Sequence, residues 1–322
     1  RTPAQKQAVE VVSKNFFSML FGGSRSGKTF IALRCIVIRA SKVKSRHLVA
    51  RLRFTDIKRA VIMDTFPKMM ELCFPELEYN LNKTDWYVTF PNGSEIWFGG
   101  LDTAERMEKV LGNEYSTIYC NESSQIEYEA ILILITRLAE NSGLSPRFMF
   151  DCNPPTKAHW TYLKFIKGVD PMDRKTPIED WEETHGALLM NPKDNLDNLP
   201  AHYIKSLRSL PERQRKRFLE GMFLDDVEGA LWKDPMLERA RSLARGEIVK
   251  SVVSVDPSVS NNPDSDECGI IVAGVDDLDN GHALADYTGK LSTKAWAEKA
   301  VWAYHEHDCN EIVYESNQGG DL

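Results

Sequence analysis

The residues at positions 22–29, GGSRSGKT, have the types and spacing of a phosphate-binding loop. In the pattern G-x4-G-K-[ST], glycines permit a backbone turn whose N–H groups contact phosphate oxygens at the positive end of the following helix. The Lys28 ammonium neutralises charge on the β- and γ-phosphates, and the Thr29 hydroxyl ligates Mg²⁺. The sequence therefore predicts that ATP and Mg²⁺ bind at Gly22, Gly23, Ser24, Arg25, Ser26, Gly27, Lys28 and Thr29.

An acidic residue is expected at the end of a neighbouring strand, and the segment STIYCNES supplies one. Asn121 and Glu122 follow the apolar residues 118–120. A carboxylate beside the γ-phosphate orients the attacking water or accepts its proton, which makes Glu122 the candidate catalytic residue. Asn121 stands where such a motif usually has an aspartate, and is expected to bind nucleotide-bound Mg²⁺ directly or through water. A helix cap formed by the Asn-Glu pair is the alternative.

Two further polar stretches lie near the predicted site. The segment TPAQKQAV at 2–9 contains Gln5 and Gln7, and a glutamine amide pairs with both a donor and an acceptor on an adenine edge. An exposed place on a helix is the alternative for both. The segment FMFDCNPP at 148–155 ends a strand in Asp151 and Asn153, where a polar side chain is able to sense the γ-phosphate. A turn before the two prolines explains those residues equally well.

Arg137 follows an apolar run in the segment LITRLA. It is a candidate arginine finger that acts on the nucleotide of a neighbouring subunit. The alternative is a surface arginine whose aliphatic stem covers apolar side chains.

Near the end of the chain, Asp256 closes the run SVVSVD and Glu315 closes EIVYE. If these two strands are parallel neighbours, the carboxylates emerge at one sheet edge about 5 Å apart. Mg²⁺ or Mn²⁺ ions bridged by the pair would activate water for attack on a phosphodiester, and Asp266 is a further candidate ligand. Carboxylates at strand ends also cap turns, which is the alternative.

The elements that must position these residues follow from hydrophobic periodicity. In the first half of the chain, short apolar runs alternate with helical patterns, which predicts a mostly parallel sheet with helices on both faces. Residues 91–94, Pro-Asn-Gly-Ser, are a strong hairpin signal. The predicted strands are 15–21, 47–52, 86–90, 95–98, 117–121 and 147–151, and the predicted helix after the phosphate loop is 28–40.

Composition divides the chain into three predicted parts: an ATPase domain at 1–175, a helical linker or lid at 176–248, and a third part at 249–322. The third part has strands at 252–256, 269–275 and 282–287, a helix at 292–307 and a strand at 311–315. This β-β-β-α-β order opens an RNase H-like fold, in which the strand after the helix lies parallel to the first. The chain is expected to stop before such a fold is complete.

Length and composition set outer limits on function. The 322 residues suggest about two domains. With 42% hydrophobic and 27% charged residues, the composition is typical of a soluble globular protein rather than a disordered or fibrous one. No apolar run is long enough to cross a bilayer, so no membrane partner is expected. The net charge of −7 argues against a compact protein that coats nucleic acid, although local basic surfaces remain compatible with it.

Two sets of basic residues are candidates for contact with a nucleic-acid backbone, with solvated helix faces as the alternative. One set is Lys205, Arg208, Arg213, Arg215, Lys216 and Arg217. The other is Arg34, Arg39, Lys42, Lys44, Arg46, Arg51, Arg53, Lys58 and Arg59.

Taken in order, several segments resemble the large terminase subunit of tailed bacteriophages, and the resemblance runs through essentially the whole chain. The phosphate loop is shared with many ATPases, whereas the stretch from the hairpin to NES and the segment ESNQGGD are more particular to this family. The segments are TPAQKQAV, GGSRSGKT, PNGSEIWFGGLD, TIYCNESSQI, FDCNPPTKAHWTY, LPERQRKRFLEGMF, VSVDPS, DECGIIVAG and IVYESNQGGD.

The resemblance implies a motor that hydrolyses ATP in an ASCE-type P-loop domain and drives double-stranded viral DNA into a procapsid. An RNase H-like domain would cut the DNA with divalent metal. The family roles fall on Lys28 and Thr29 for phosphate and Mg²⁺, Glu122 for catalysis, Asn153 for coupling, Arg25 and Arg137 as arginine fingers, and Asp256 and Glu315 as the first two nuclease acids. By the same resemblance, the third nuclease acid of the family is expected to lie beyond the last residue of this sequence.

The resemblance also implies partners: double-stranded DNA, a small terminase subunit, the portal ring of the procapsid, and further copies of the chain in a ring. The place of action would be the host cytoplasm. A helicase or remodelling ATPase with a non-catalytic RNase H-like DNA-binding module is the alternative function, and a nucleotide-dependent switch is a third.

Overall fold

The computed structural model describes residues 2–225, 240, 246–257 and 267–314. The chain divides into two compact units, Arg1–Asp234 and Pro235–Leu322, and each is described by itself. The boundary falls inside the segment that the sequence predicts as a linker, so the helices at 201–218 belong to the first unit.

The first unit is built on an eight-stranded sheet with the strand order β3-β4-β5-β2-β6-β7-β1-β8. Six of the strands run parallel, and β3 and β4 extend the sheet through antiparallel pairing to β5. The strands are β1 (Phe17–Phe21), β2 (Arg46–Arg51), β3 (Asn80–Asn82), β4 (Tyr87–Thr89), β5 (Glu95–Gly100), β6 (Thr117–Cys120), β7 (Arg147–Cys152) and β8 (His185–Leu189). The predicted mostly parallel α/β fold is confirmed.

Helices cover both faces of this sheet. Short 3₁₀ turns occur at Ser123–Gln125 and Pro192–Asn198, and π-helical turns at Lys58–Thr65 and Leu163–Lys167. No helix in the described part of the chain is long and apolar enough to span a membrane. The α-helices are α1 (Pro3–Lys14), α2 (Lys28–Lys42), α3 (Phe54–Ile57), α4 (Phe66–Cys73), α5 (Ala104–Leu111), α6 (Tyr128–Ile135), α7 (Trp160–Tyr162), α8 (Trp181–Thr184), α9 (Ala201–Arg208) and α10 (Glu212–Phe218).

Successive residues of the central strands pack into two different cores, as strand geometry requires. Val49 and Tyr119 lie in the core that contains α1, α2 and α4. Their neighbours Leu48 and Ile118 lie in the core on the opposite face, with α6. A strand buried on both faces needs a continuous apolar run, which is the pattern that identified these strands in the sequence.

One strand lies in a region that the sequence predicts to be helical. Strand β8, with the short apolar sequence HGALL, falls within 176–248 and pairs in parallel with β1 over its whole length. The ring of His185 stacks on that of Phe17 at 4.6 Å, which fixes the first residues of the two strands side by side. A run of five residues is too short for periodicity to distinguish strand from helix, so tertiary pairing decides.

The second unit contains a four-stranded sheet with the order β11-β10-β9-β12. Its elements are β9 (Ile248–Asp256), β10 (Gly269–Asp276), β11 (Gly281–Asp286), α11 (Thr293–Glu306) and β12 (Glu311–Tyr314). Strands β9, β10 and β11 are antiparallel, and β12 returns after α11 to lie parallel to β9. The predicted β-β-β-α-β order and the parallel pairing of its first and last strands are thus present.

Candidate functional site

Three loops meet at the carboxyl edge of the large sheet, because β1, β6 and β7 are parallel and β7 lies between the other two. The phosphate loop follows β1 and leads directly into α2, as predicted. The segment that begins at Asn121 follows β6, and the segment with Asn153 follows β7. The strand order therefore brings together residues that are about 100 to 130 positions apart in the sequence.

Glycines in the phosphate loop lie where other residues would be strained or would collide with the backbone. Gly22 has φ +139°, and a Cβ on it would lie 2.1 Å from the carbonyl oxygen of Met190. Gly27 has φ +88° and precedes the first turn of α2. Both conformations are open to glycine at little cost, which explains the spacing of the motif.

Segments from the end of the first unit hold the loop from the other side. The backbone N–H of Gly23 donates to Asn191 Oδ1 at 3.0 Å, and that of Ser24 donates to the carbonyl of Phe218 at 2.8 Å. Asn191 also donates through Nδ2 to the carbonyl of Glu220 at 2.9 Å. The region predicted as a lid is therefore bonded to the phosphate loop, a role that local sequence patterns did not reveal for Asn191 or Phe218.

Lys28 is only 7% exposed, and oxygen atoms surround its ammonium group. Burial lowers the pKa of Lys28, while the negative charges of Asp151 and Glu122 act in the opposite direction. The acceptors of Nζ are Gly23 O at 2.7 Å, Ser26 Oγ at 3.1 Å, Gly22 O at 3.2 Å and Asn153 Oδ1 at 3.3 Å. The amide of Asn153 therefore touches the loop lysine, the place where the sequence expected a γ-phosphate sensor.

Asp151 is the centre of a buried hydrogen-bond network that joins the three loops. Its side chain is 2% exposed and accepts from the Thr29 hydroxyl at 2.8 Å. It also accepts from Asn121 Nδ2 at 3.0 and 3.2 Å and from the backbone N–H of Glu122 at 2.8 Å. The carboxylate thus contacts both the first turn of α2 and the end of β6.

Asn121 turns its NH₂ group, not its oxygen, toward this network. Its Oδ1 accepts from Arg51 Nη1 at 3.2 Å, and its Nδ2 also approaches the Thr29 hydroxyl at 3.2 Å. Chemistry fixes this orientation, because a guanidinium only donates and a carboxylate only accepts. The role of metal ligand predicted for Asn121 needs the opposite orientation.

Glu122 has the left-handed conformation φ +52°, ψ +50°, which is unusual for a residue with a side chain. The bond from its N–H to Asp151 holds the turn. Burial raises the pKa of the Glu122 carboxyl, and the charge of Asp151 raises it further, while Arg51, Lys28 and Arg217 act in the opposite direction. Backbone strain of this kind is often found at functional sites, where surrounding structure maintains it.

Two arginines near Glu122 were not identified from the sequence as members of this site. Arg51 ends β2, and Arg217 lies on α10 next to Phe218, whose carbonyl holds the phosphate loop. The Nε atom of each is buried and has no hydrogen-bond partner among the described residues. Both belong to the basic sets predicted to face DNA, and only the fold could distinguish them from the rest.

The two predicted arginine fingers lie in different places. Arg25 is in the phosphate loop with φ +59°; its side chain is exposed, and its carbonyl accepts from Asn195 Nδ2 at 2.9 Å. Arg137 follows α6, and its carbonyl accepts from the N–H of Tyr115 at 2.8 Å. Tyr115 precedes β6 whereas Glu122 follows it. Arg137 therefore lies at the amino ends of the strands, and the nucleotide site of its own chain lies at their carboxyl ends.

The two glutamines of α1 differ in exposure. Gln7, which the sequence analysis named together with Gln5 as a candidate adenine contact, is exposed. Gln5 is buried, and its Nε2 lies 2.9 Å from the position that a Cβ on Gly27 would take. Of the two, Gln5 is therefore the one beside the phosphate loop.

At the second unit, Asp256 is the exposed last residue of β9, and its neighbour Val255 pairs with Tyr314 of β12. The other two predicted metal ligands of this unit, Glu315 and Asp266, lie outside the described residues. Among the residues that are described, no group of three or more His, Cys, Asp or Glu side chains is arranged to hold a metal ion.

Several residues of the basic sets have structural partners. Arg39 donates to Thr117 Oγ1 at 2.8 Å and to the carbonyl of Ser145 at 2.5 Å, and Arg46 pairs with Glu95 at 2.8 Å. These two arginines tie the amino ends of strands together, so the prediction that they face DNA is not supported for them.

The donor set beside Lys28 fits Mg²⁺. Mg²⁺ prefers hard oxygen ligands and in nucleotide sites takes one or two from the protein, with the rest from phosphates and water. The hydroxyl of Thr29, in the first turn of α2, and the carboxylate of Asp151, near the end of β7, are two such oxygens and lie 2.8 Å apart. Together with Lys28 and Glu122 they form a site suited to a nucleoside triphosphate.

Comparison with known proteins agrees with this arrangement. Residues 19–239 match the family model described as the N-terminal part of the T4-like-virus type of large terminase subunit. A search of curated proteins gives no match. This family match spans the phosphate loop, the segments that follow β6 and β7, and the segments with Asn191 and Phe218 that hydrogen-bond to the loop.

Solved structures share the fold. The large terminase of a thermophilic bacteriophage aligns with a TM-score of 0.58 at 14% identity, over 99% of this chain and 78% of that one. Its complex with ADP gives 0.57 at 15% identity over 98% and 77%, and its complex with ATP-gamma-S gives 0.56 at 14% over 99% and 78%. Since the family model covers most of the sequence, this chain belongs to the large terminase subunit family.

Proposed function

We propose that the protein is the motor subunit of a DNA-packaging machine, in which ATP hydrolysis by the first unit drives double-stranded DNA into a procapsid. The observation that carries this proposal is the convergence of Lys28, Thr29, Glu122 and Asp151 on one sheet edge. The ADP and ATP-gamma-S complexes of the thermophilic phage terminase, which has the same fold, support ATP as the nucleotide.

Lys28 and the start of α2 bind the phosphates in this proposal. The ammonium group contacts neutral oxygens, and anionic phosphate oxygens are stronger acceptors for the same hydrogens. The first bond within α2 runs from Ile31 N to Gly27 O at 3.1 Å, so the N–H groups of residues 28–30 have no acceptor within the helix. They are donors for phosphate at the positive end of the helix dipole.

Glu122 orients the attacking water and accepts its proton. The raised pKa of this carboxyl makes it a stronger base than an exposed glutamate. The Thr29 hydroxyl would hold Mg²⁺ next to the phosphates. When bound, the ion neutralises charge on the phosphate oxygens. Arg217, close to Glu122 and on the helix that holds the loop, adds positive charge on the same side.

The partners proposed are double-stranded DNA, a small terminase subunit, the portal ring and further copies of this chain in a ring, in the host cytoplasm. In such a ring Arg137 would serve a neighbouring subunit, since it lies at the far edge of the sheet from its own site. Arg25, exposed in the phosphate loop, is the candidate within the same chain.

We further propose that the second unit is an RNase H-like nuclease that cuts DNA with Mg²⁺ or Mn²⁺. The parallel pairing of β9 with β12 supports this, because Asp256 and Glu315 directly follow the paired residues Val255 and Tyr314 in the sequence. In the full-length protein, Asp256→Asn should eliminate nicking of plasmid DNA and leave ATP turnover intact. Cleavage in Mn²⁺ that persists in this variant would place the nuclease site elsewhere.

The motor proposal is tested by ATP turnover and DNA packaging with the full-length protein, the small subunit and procapsids. We expect multiple-turnover hydrolysis that DNA stimulates, together with DNA protected from nuclease inside the procapsid. Turnover with unwinding of a forked duplex but no packaging would favour a helicase. Binding of ATP without turnover, with or without DNA, would favour a nucleotide switch.

A further inference from the structure

We infer that Asp151, at the end of β7, is the carboxylate that holds the nucleotide-bound Mg²⁺ in this protein, in place of an aspartate at position 121. This inference rests on the proposed ATPase function and assigns one more residue to the same site. It follows from the substitution at 121, from the orientation of Asn121 and from the position of Asp151.

Position 121 lacks the charge that the ion needs. Carboxylates are the usual protein ligands of Mg²⁺, and a neutral amide attracts the ion less strongly. In addition, Asn121 offers its NH₂ group to the site, because its oxygen is bonded to Arg51 at 3.2 Å. A donor group repels a cation, so Asn121 in this orientation is not a metal ligand.

Asp151 supplies the missing charge at the right place. Its Oδ2 accepts from the Thr29 hydroxyl at 2.8 Å, so both oxygens are able to face one ion. The carboxylate is 2% exposed, and its hydrogen bonds to Asn121 and to the N–H of Glu122 fix its orientation. A buried carboxylate needs compensation, and the donors to this one among the described residues are the neutral groups of Thr29, Asn121 and Glu122, with the Lys28 ammonium as a nearby positive charge.

The residue types at positions 121 and 151 are chemically compatible with each other. Asn121 donates to Asp151 instead of repelling it, whereas an aspartate at 121 would place two carboxylates in contact. The neutral residue, Asn121, therefore follows β6, and the carboxylate, Asp151, is on the neighbouring strand β7. Asn121 is a positioning residue in this account, since it orients Asp151.

The test measures metal binding rather than turnover. Affinity for Mn²⁺ is measured by EPR in the presence of ATP-gamma-S, and ATP-gamma-S affinity is measured in EDTA. We expect Asp151→Asn to weaken Mn²⁺ binding by about 10- to 100-fold while affinity in EDTA changes by less than about threefold. Glu122→Gln is the matched control, because it removes a neighbouring carboxylate, and it should leave Mn²⁺ affinity within about threefold.

The double variant Asn121→Asp/Asp151→Asn moves the charge back to β6 and should restore most of the lost Mn²⁺ affinity. Mn²⁺ affinity that is unchanged in Asp151→Asn, or that falls in Glu122→Gln instead, would overturn the inference. A merely structural role of Asp151 predicts lower thermal stability with normal Mn²⁺ affinity, which would also overturn it.

A measurement on the wild-type protein covers the case in which Asp151→Asn does not fold. With ¹³C-carboxyl-labelled aspartate, pulsed EPR of bound Mn²⁺ should detect a nearby aspartate carbon. Absence of that signal would overturn the inference. If wild type binds ATP-gamma-S neither in EDTA nor with metal, the proposed function itself fails, which is a distinct result.

Discussion

Two buried lysines lie at opposite ends of β1, and their surroundings differ. Lys28, after the carboxyl end, is 7% exposed and bonded to oxygens of the loop and of Asn153. Lys164 is 8% exposed, and its Nζ lies 4.4 Å from the ring centre of Phe17, the first residue of β1. The ring of Tyr128 is a second aromatic neighbour, at 5.8 Å.

Burial lowers the pKa of both lysines, for Lys164 to about 8. The two lysines differ in the groups that contact their ammonium: aromatic rings at Lys164, and carbonyl and amide oxygens at Lys28. An aromatic face stabilises a cation without offering a place for a ligand oxygen. Loop carbonyls and an amide are acceptors that a phosphate is able to replace. A buried charge therefore indicates a functional site only when its partners are exchangeable.

The largest expected effect separates the two lysines. Lys28→Ala should reduce ATP turnover about 1000-fold or more, because it removes charge stabilisation of the γ-phosphate in the transition state. Lys164→Ala should instead leave turnover of the folded protein within about twofold, because Lys164 lies at the other end of β1 and its charge faces aromatic rings rather than the phosphate loop. Turnover and urea unfolding of both variants check this. Loss of turnover in Lys164→Ala with the fold intact would contradict the comparison.

The second prediction concerns the carboxyl edge alone. Glu122→Gln keeps the shape of the side chain and loses its basicity, so ATP should still bind while turnover falls about 100- to 1000-fold. Equilibrium binding of ATP-gamma-S and single-turnover hydrolysis measure the two effects. Glu127→Gln, an exposed glutamate after the same strand, is the control and should behave like wild type. Equal turnover in the two variants would remove Glu122 from the catalytic role.

The third prediction concerns Arg217, whose buried Nε has no partner among the described residues. If its charge acts on the phosphates, Arg217→Ala should lower turnover about 10- to 100-fold at saturating ATP. Arg208→Ala, an exposed arginine at the end of α9, serves as the control and should change turnover little. If weaker DNA binding were the only defect of Arg217→Ala, Arg217 would instead belong to the DNA-contacting surface predicted from the sequence.

The smallest effect is one of pH at the amino end of β1. Burial and the charge of Lys164 lower the pKa of His185 to about 3. Its contribution to stability is therefore complete above the unfolded pKa, near 6.5, and is lost as pH falls toward 3. At pH 5 the loss should be about 1–2 kcal/mol relative to pH 7, and smaller in His185→Phe. Thermal unfolding of the wild type and the variant between pH 7 and pH 5 measures this loss, and the exposed His202 supplies the control variant His202→Phe. A pH dependence in His185→Phe equal to that of the wild type would contradict the prediction.

The sequence predicted the parts of the site that local geometry dictates. The phosphate loop was visible because Gly22 and Gly27 adopt positive φ values that few other residues tolerate. The ends of β6 and β7 were visible because strands buried on both faces are continuous apolar runs. From these two signals the sequence predicted that Glu122 lies beside the phosphates, whereas for Asp151 and Asn153 a turn before the two prolines was an equal alternative.

Contacts between distant segments were not predictable in this way. Asn191 bonds to Gly23 across 168 positions, and no local pattern links the two. The same reason explains why Arg217 was grouped with surface arginines and why the orientation of Asn121, set by Arg51 on another strand, could not be inferred. Strand β8 was missed because its pairing with β1, rather than its own sequence, makes it a strand.

The most direct test of the claim that the carboxyl edge binds ATP is amide hydrogen exchange of the wild-type protein with and without ATP-gamma-S and Mg²⁺. We expect slower exchange at 22–30, 121–123 and 151–153, and no change near the amino ends of β6 and β7, at residues 115–117 and 137–147. Slower exchange near the amino ends of β6 and β7, or unchanged exchange in the phosphate loop at saturating nucleotide, would contradict the claim.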